Sequence, residues 1–322
     1  MTDCGDFVNS DDEEDVQDLE ENAEPLSLYF RYRIEHKLGH GGFSTVWMAH
    51  DIVKKKVFAL KITTLARDAV DRENTSKLLP SCEAFSLPSP NGHHRVLVFP
   101  LRGPSLHSCF ASMSMANRMS AAKQVLQTLK SLHDANIVHQ DLNDRNIMCG
   151  IAPLDTYDVK MKYQYLGRPK KIPLQTPAGM QGELVRPIVV PPSLLTNLFY
   201  LRDFGLAMNA GTLINYKLQS PSAWCAPERL HNTDLSAASD MWSYMCVFTE
   251  LYLGTLPWSI YDDALPSIVK QPESTLETII AHARPDVSST ERAHVLFFML
   301  KGFSYNPQHR MTAVQLLDNA SF

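Results

Sequence analysis

Cysteine is scarce in this 322-residue chain, and no two of the six (Cys4, Cys82, Cys109, Cys149, Cys225, Cys246) are spaced as Cys-x-x-Cys. That argues against a zinc site or a redox pair, and such scattered cysteines read as small buried hydrophobes. Long apolar runs are missing too. The most apolar stretch, MWSYMCVFTELYLGTLPW, is broken by Glu250 and Gly254 before it reaches the roughly 20 residues that cross a bilayer. No membrane association is therefore expected. No basic-then-apolar segment opens the chain, so residence inside the cell, cytoplasmic or nuclear, is expected. The first 24 residues lack Lys and Arg while holding eleven Asp or Glu. Taking those eleven from the 35 acids leaves 24 against 30 bases, so the net charge of −5 describes the start of the chain rather than its body. Residues 1–28 read as an acidic disordered tail, with too few apolar groups to offset ordering entropy, and solubility is its expected role. No clear basic import cluster appears beyond GRPKK, and direct nucleic-acid contact is not expected.

What remains is an ordinary globular composition, 44% hydrophobic and 20% charged, long enough for one large domain or two lobes. RYRIEHKLG, KVFALKIT and HRVLVFPL read as strands rich in β-branched and aromatic residues. Residues 115–135 place Met119, Ala122, Val125, Leu126, Leu129 and Leu132 on one helical face. Residues 151–199 contain seven prolines and GRPKK, and read as a largely irregular insert. From about 223 onward helical patterns dominate. Strands first and helices after suggest two lobes of different character.

Six signals carry chemistry. Gly39-His40-Gly41-Gly42-Phe43-Ser44-Thr45-Val46 lies between two candidate strands, where glycine lets backbone N–H groups approach an anion closely. Lys61 follows within the apolar strand VFALKIT, a costly place for a cation without an anionic partner. IVHQDLNDRN holds Asp141 and, five residues on, Asn146. Asp203-Phe204-Gly205, Ala226-Pro227-Glu228, Asp240 at the head of an apolar helix, and Arg310 in NPQHRMTAVQLL come after it in order. Alone, each is explained as a turn, a helix cap or a surface charge. Their order is the evidence.

Over residues 31–322 this set resembles the eukaryotic protein kinases. HKLGHGGFSTVWMAHD, PNGHHRVLVFPLRGPSL, the long insert and Gln140 in place of the usual arginine are similar to the SR-protein kinases, particularly those of fungi. The resemblance implies an α+β fold with a small β-rich lobe (29–102) and a larger helical lobe (103–322), the insert at about 151–199 belonging to the second. It implies a monomeric serine/threonine protein kinase using ATP and Mg2+ on protein substrates, Arg/Ser-rich ones among them. Gly39, His40, Gly41, Gly42, Phe43, Ser44, Thr45 and Val46 would cover the phosphates. Lys61 would contact the α- and β-phosphates, with Glu73 as its partner. Pro100 and Arg102 would present backbone groups to adenine, beside Phe99 as gatekeeper. Asp141 would be the catalytic base, Asn146 and Asp203 the metal ligands. Glu228 and Arg310 would form a buried ion pair, and Asp240 would hold the catalytic-loop backbone.

The chain departs from the family pattern in three places. Asn143 stands where serine/threonine kinases carry a lysine that neutralises γ-phosphate charge; a preorganised electrostatic donor of this kind contributes about 2.7–4 kcal/mol by analogy with oxyanion holes. Small-molecule kinases also lack that lysine and still transfer phosphate, although Glu228, Asp240 and Arg310 speak for a protein-substrate platform. The segment after Lys61 is short. Cys225 replaces an arginine, and Ser220 or Ser222 a threonine. Gln140, being neutral, implies independence from activation-loop phosphorylation. The competing expectation is a pseudokinase that binds ATP as a scaffold.

Overall fold

The computed structural model describes residues 31–41, 44–63, 83–89, 92–175, 181–212, 222–230, 236–256 and 272–319. The acidic tail, Gly42, Phe43, Glu73 and Ser220 lie outside these residues. Contacts divide the chain into two units, one formed by Met1–Arg102 with Ile151–Leu195 and the other by Gly103–Gly150 with Thr196–Phe322.

The first unit is built on an antiparallel five-stranded sheet: β1 (Tyr32–Gly41), β2 (Ser44–Asp51), β3 (Lys56–Thr63), β4 (Ala84–Ser89) and β5 (Gly92–Pro100), in the order β1-β2-β3-β5-β4. Its strands alternate their side chains between two faces. Tyr32, Ala49, Leu60, Val96 and Val98 form one core, with Phe58, Ile62, Phe85 and Leu87 against it. A second core joins Met48 and Val57 of the strands to Leu154, Leu166 and Leu194 of the insert.

The insert thus departs from the sequence reading in content and in placement. It holds the helix Val159–Leu166 and an antiparallel hairpin, Lys171–Gln175 with Gln181–Val185. Asp158 caps the helix by accepting from Met161 N at 2.6 Å, and Gly167, at φ 76°, ends it. Proline count overshadowed these cap signals. Polar links hold 151–195 to the sheet: Lys162 Nζ donates to both Glu35 oxygens at 2.8 and 2.9 Å, Val57 N to Asp155 Oδ1 at 2.7 Å, and Ile188 N to Lys37 O at 2.9 Å. These are tertiary contacts to the first unit, whereas the sequence order placed the insert with the second.

The second unit is helical. The expected helix at 115–135 is present as Met115–Asp134, burying Ala121, Ala122, Val125, Leu126 and Leu129. It packs on Ala237–Leu253, which is buried on nearly every side, and Tyr244 donates its hydroxyl to Ala122 O at 3.2 Å. Helices Pro272–Ala283, Ser289–Gly302 and Ala313–Asn319 also belong to it. A Cβ on Gly302 would stand 2.2 Å from Met245 Cγ, so only glycine permits that approach. Among the described residues no helix is long and apolar enough to cross a membrane.

Candidate active site

The loop after the short strand Ile137–Val138 is held from below by one buried carboxylate. Asp240, 1% exposed in the first turn of Ala237–Leu253, accepts from His139 N at 2.7 Å and Gln140 N at 2.8 Å, with His133 Nε2 3.1 Å away. A helix N-terminus favours that negative charge. Gln140 adopts φ 69°, uncommon for a side chain of its size. The two N–H bonds to Asp240 and a 2.6 Å bond from Arg229 Nη1 to Gln140 O hold the backbone there. The Gln140 amide itself is buried, with no hydrogen-bond partner among the described residues.

Asp141 is gripped by two amides. Asn146 Nδ2 donates to its carbonyl and to Oδ2, both at 2.8 Å. Asn143 Nδ2 donates to its carbonyl at 3.0 Å and to Oδ1 at 3.1 Å. The Asn143 oxygen accepts from Arg145 N at 3.0 Å and Asn146 N at 3.2 Å, capping the turn Asp144–Asn146. The residue that sequence reasoning marked as a missing lysine is therefore a buried structural pin, 3% exposed. An Asx turn was legible in NDRN; its second bond, to Asp141, was not.

Asp203 sits at φ 62° and ψ 63°, with an exposed side chain. Both neighbours are tied to the loop. Arg202 N donates to Asn146 O at 2.9 Å. His139 Nε2 donates to Arg202 O at 3.0 Å, its Nδ1 accepts from Asp141 N at 3.3 Å, and its ring meets Phe204 edge-on at 4.9 Å. A left-handed aspartate held between two anchored residues is strain of the kind that concentrates at functional sites.

The residues present fit a magnesium ion. With Nδ2 spent on Asp141, the remaining polar atom of Asn146 is its oxygen, and Asp203 offers an exposed carboxylate. Among the described residues no group of three or more His, Cys, Asp or Glu side chains could hold a metal alone. A site of one or two protein oxygens, completed by phosphate and water, suits this cation.

Next to the loop, Asp144 Oδ2 lies 2.6 Å from His107 Nδ1. Burial, and then the Asp144 charge, push Glu250 up to about 7. Farther off, Arg310 meets Glu228 in a bidentate pair at 2.8 and 3.1 Å, and Ser239 Oγ adds a bond at 3.1 Å. Burial works against the Glu228 carboxylate, but Arg310 outweighs it and holds the group below its ordinary range.

In the first unit, Lys61 lies in β3 between Val46 of β2 and Leu97 of β5. The sheet alternation turns it away from the face of Phe58, Leu60 and Ile62. His40 pairs with Thr45, and Gly41 with Ser44. A Cβ built on Gly39 meets nothing within 4 Å, and its φ is not left-handed. Packing within the chain does not impose glycine there, which leaves room for close approach by a ligand. β5 ends at Pro100, opposite Phe58; Phe99 faces Ala59, and Arg102 Nη1 donates to Leu101 O at 3.2 Å. Cys225 is half-buried, and burial raises its thiol.

The protein kinase domain model matches residues 32–162 and 193–322, most of the chain. Serine/threonine-protein kinase spk-1 of Caenorhabditis briggsae is 29% identical over 177 residues, 45% of this chain and 16% of that protein. Protein kinase dsk1 of Schizosaccharomyces pombe is 32% identical over 172 residues, 42% of this chain and 32% of its own length. The match thus spans less than a third of either relative. A crystallised kinase domain superposes with a TM-score of 0.59 at 18% identity, covering 92% of this chain and 97% of that one, which shows the fold. The fold is α+β, as the order of strands and helices implied, and the chain belongs to the protein kinase family, with kinases of the SR-protein type among its relatives.

Proposed function

We propose that the protein transfers the γ-phosphate of ATP to serine or threonine hydroxyls of protein substrates. The observation that carries this reading is Asp141, its carboxylate oriented by Asn143 and Asn146 on a backbone pinned to Asp240. A carboxylate held this way accepts a hydrogen bond from an attacking hydroxyl and orients it. Asn146 and Asp203 would hold magnesium, which neutralises phosphate charge when bound. Lys61 and the backbone of Gly39 to Val46 would contact the phosphates of the nucleotide, and Pro100 and Arg102 the adenine. Glu228 with Arg310 braces the helical unit, since removing either partner strands a buried charge.

Transfer of labelled γ-phosphate to a panel of serine-containing proteins and peptides tests this. Wild-type protein is expected to label them, and Asp203→Ala to abolish labelling. Folded protein that binds ATP and labels nothing would overturn the reading in favour of a scaffold, for which Asn143 in the lysine position is the supporting observation. Arg/Ser-rich substrates are the narrower proposal, resting on the resemblance to the SR-protein kinases. Acids able to hold substrate arginines would lie beyond Gly254, where Asp262, Asp263 and the side chain of Glu273 are outside the described residues and Glu277 is exposed. A peptide array comparing Arg-Ser repeats with generic serine peptides decides this point.

A further inference from the structure

Forty positions separate Cys109 from Cys149, yet the fold brings their sulfurs to 2.7 Å. Both are free thiols and buried, 6% and 2% exposed. The sequence spacing argued against any redox pair, so this juxtaposition is a product of tertiary structure alone. Two small hydrophobes filling one gap would not require such an approach.

The backbone around each cysteine is fixed by bonds that do not involve the sulfurs. Cys149 N donates to Pro104 O at 2.9 Å, Gly103 N donates to Cys149 O at 2.8 Å, and Ser105 forms a β-bridge with Met148. Cys109 ends the helix Leu106–Cys109, whose His107 reaches Asp144. Cys149 lies in the strand Ile147–Ile151, which follows Asn146 directly. With both segments anchored, the sulfurs have to close only from 2.7 Å to the ~2.05 Å of a disulfide. The two thiols are also unequal. The hydrogen bond from Cys149 lowers the Cys109 thiol, and that same bond raises Cys149. Cys109 is thus the better nucleophile of the two.

We propose that Cys109 and Cys149 are a redox modification site, forming a reversible disulfide that fastens the helix before the catalytic loop to the strand leaving it. A hydroperoxide is the oxidant. The Cys109 thiolate attacks one peroxide oxygen, the O–O bond breaks, and with hydrogen peroxide the leaving hydroxide takes a proton and departs as water. Cys149 sulfur then attacks the Cys109 sulfenic sulfur. The S–S bond forms, the S–O bond breaks, and a second water leaves with the Cys149 proton. Two thiols lose two electrons, and one peroxide gains them.

The test uses the full chain, with hydrogen peroxide as probe, followed by denaturation and alkylation without reductant. The expected product is the tryptic peptide 103–118 joined through sulfur to 146–160, each holding one cysteine, and separated again by dithiothreitol. The oxidised chain should melt several degrees higher, because a closed loop of this length restricts the unfolded chain. In Cys149→Ser, the Cys109 sulfenic acid should persist and react with dimedone. Complete alkylation of both cysteines after peroxide would overturn the proposal. So would a Cys109 sulfinic acid without a crosslink, or a crosslink from another pair. An unchanged melting temperature in the crosslinked chain would overturn the fastening role. If Cys149→Ser fails to fold, peptide mapping of the unmutated chain decides alone. None of these readouts depends on phosphate transfer.

Discussion

The loop from His139 to Asn146 and the 151–195 insert are fixed by different balances of polar and apolar contact. Between His139 and Asn146 nearly every constraint is polar. Asp240 takes two backbone N–H groups, Asn143 and Asn146 take the Asp141 carboxylate, and Arg229 takes a carbonyl. The insert adds an apolar core, laying Leu154, Leu166 and Leu194 against Met48 and Val57, to its polar links from Lys162 to Glu35, Val57 to Asp155 and Ile188 to Lys37. Directional bonds set atoms to within a fraction of an ångström, which the proposed role of Asp141 would require. Apolar burial sets only which faces meet, and tolerates changes of similar volume.

Breaking the polar side should cost function first. Asp141→Asn removes the carboxylate charge and turns one of its two acceptor oxygens into an amide donor facing Asn143 or Asn146; labelling of a serine peptide should fall by about 10²–10⁴-fold, general-base catalysis being of that size, with a small fall in melting temperature from the lost bond. On the insert side, Lys162→Met removes the buried partner of Glu35, leaving it the more exposed Arg33 at 3.1 Å, and should cost up to about 3–5 kcal/mol in a denaturant titration. Pairing it with Glu35→Leu should return most of that stability, because an apolar pair of similar volume replaces a buried ion pair with little loss. Failure of that rescue would mean the insert is held by geometry, as the loop is.

Asn143→Lys sharpens the comparison at the residue that both caps the turn and holds Asp141. The change deletes a cap worth about 0.5–2 kcal/mol and forces an ammonium into a buried position. Lower thermal stability is expected, with turnover no higher than that of the wild type. A large rise in turnover would instead show that γ-phosphate charge is the limiting deficit.

The smallest effect is a pH dependence. The folded Glu250 carboxyl is raised to about 7, above its unfolded value, so between the two values the folded state holds a proton that the unfolded state releases. Stability therefore falls as pH rises through that window. Glu250→Gln should gain on the wild type between about pH 4.5 and 7 and hold a constant advantage above, of about 1–2 kcal/mol after discounting for solvent screening. Urea midpoints at several pH values measure it. Glu228 has the opposite sign. Its folded pKa is depressed, so its contribution is full above the ordinary carboxylate value and is lost as pH falls through the lowered one.

Local sequence was enough to reveal the strands around Lys61, the helix Met115–Asp134, and the order of Asp141, Asn146, Asp203, Glu228, Asp240 and Arg310. Strands and amphipathic helices declare themselves by period, and the residues of the proposed site cluster in short motifs. Asn143 was legible as an absent lysine but not as the amide that holds Asp141, because that role depends on a side-chain direction. The insert's attachment to the sheet, the meeting of Cys109 with Cys149, and the Asp144–Glu250 neighbourhood were decided by tertiary structure alone. Each joins residues far apart in the chain, and which distant surfaces meet is set by how whole faces are buried, a choice that no local pattern encodes.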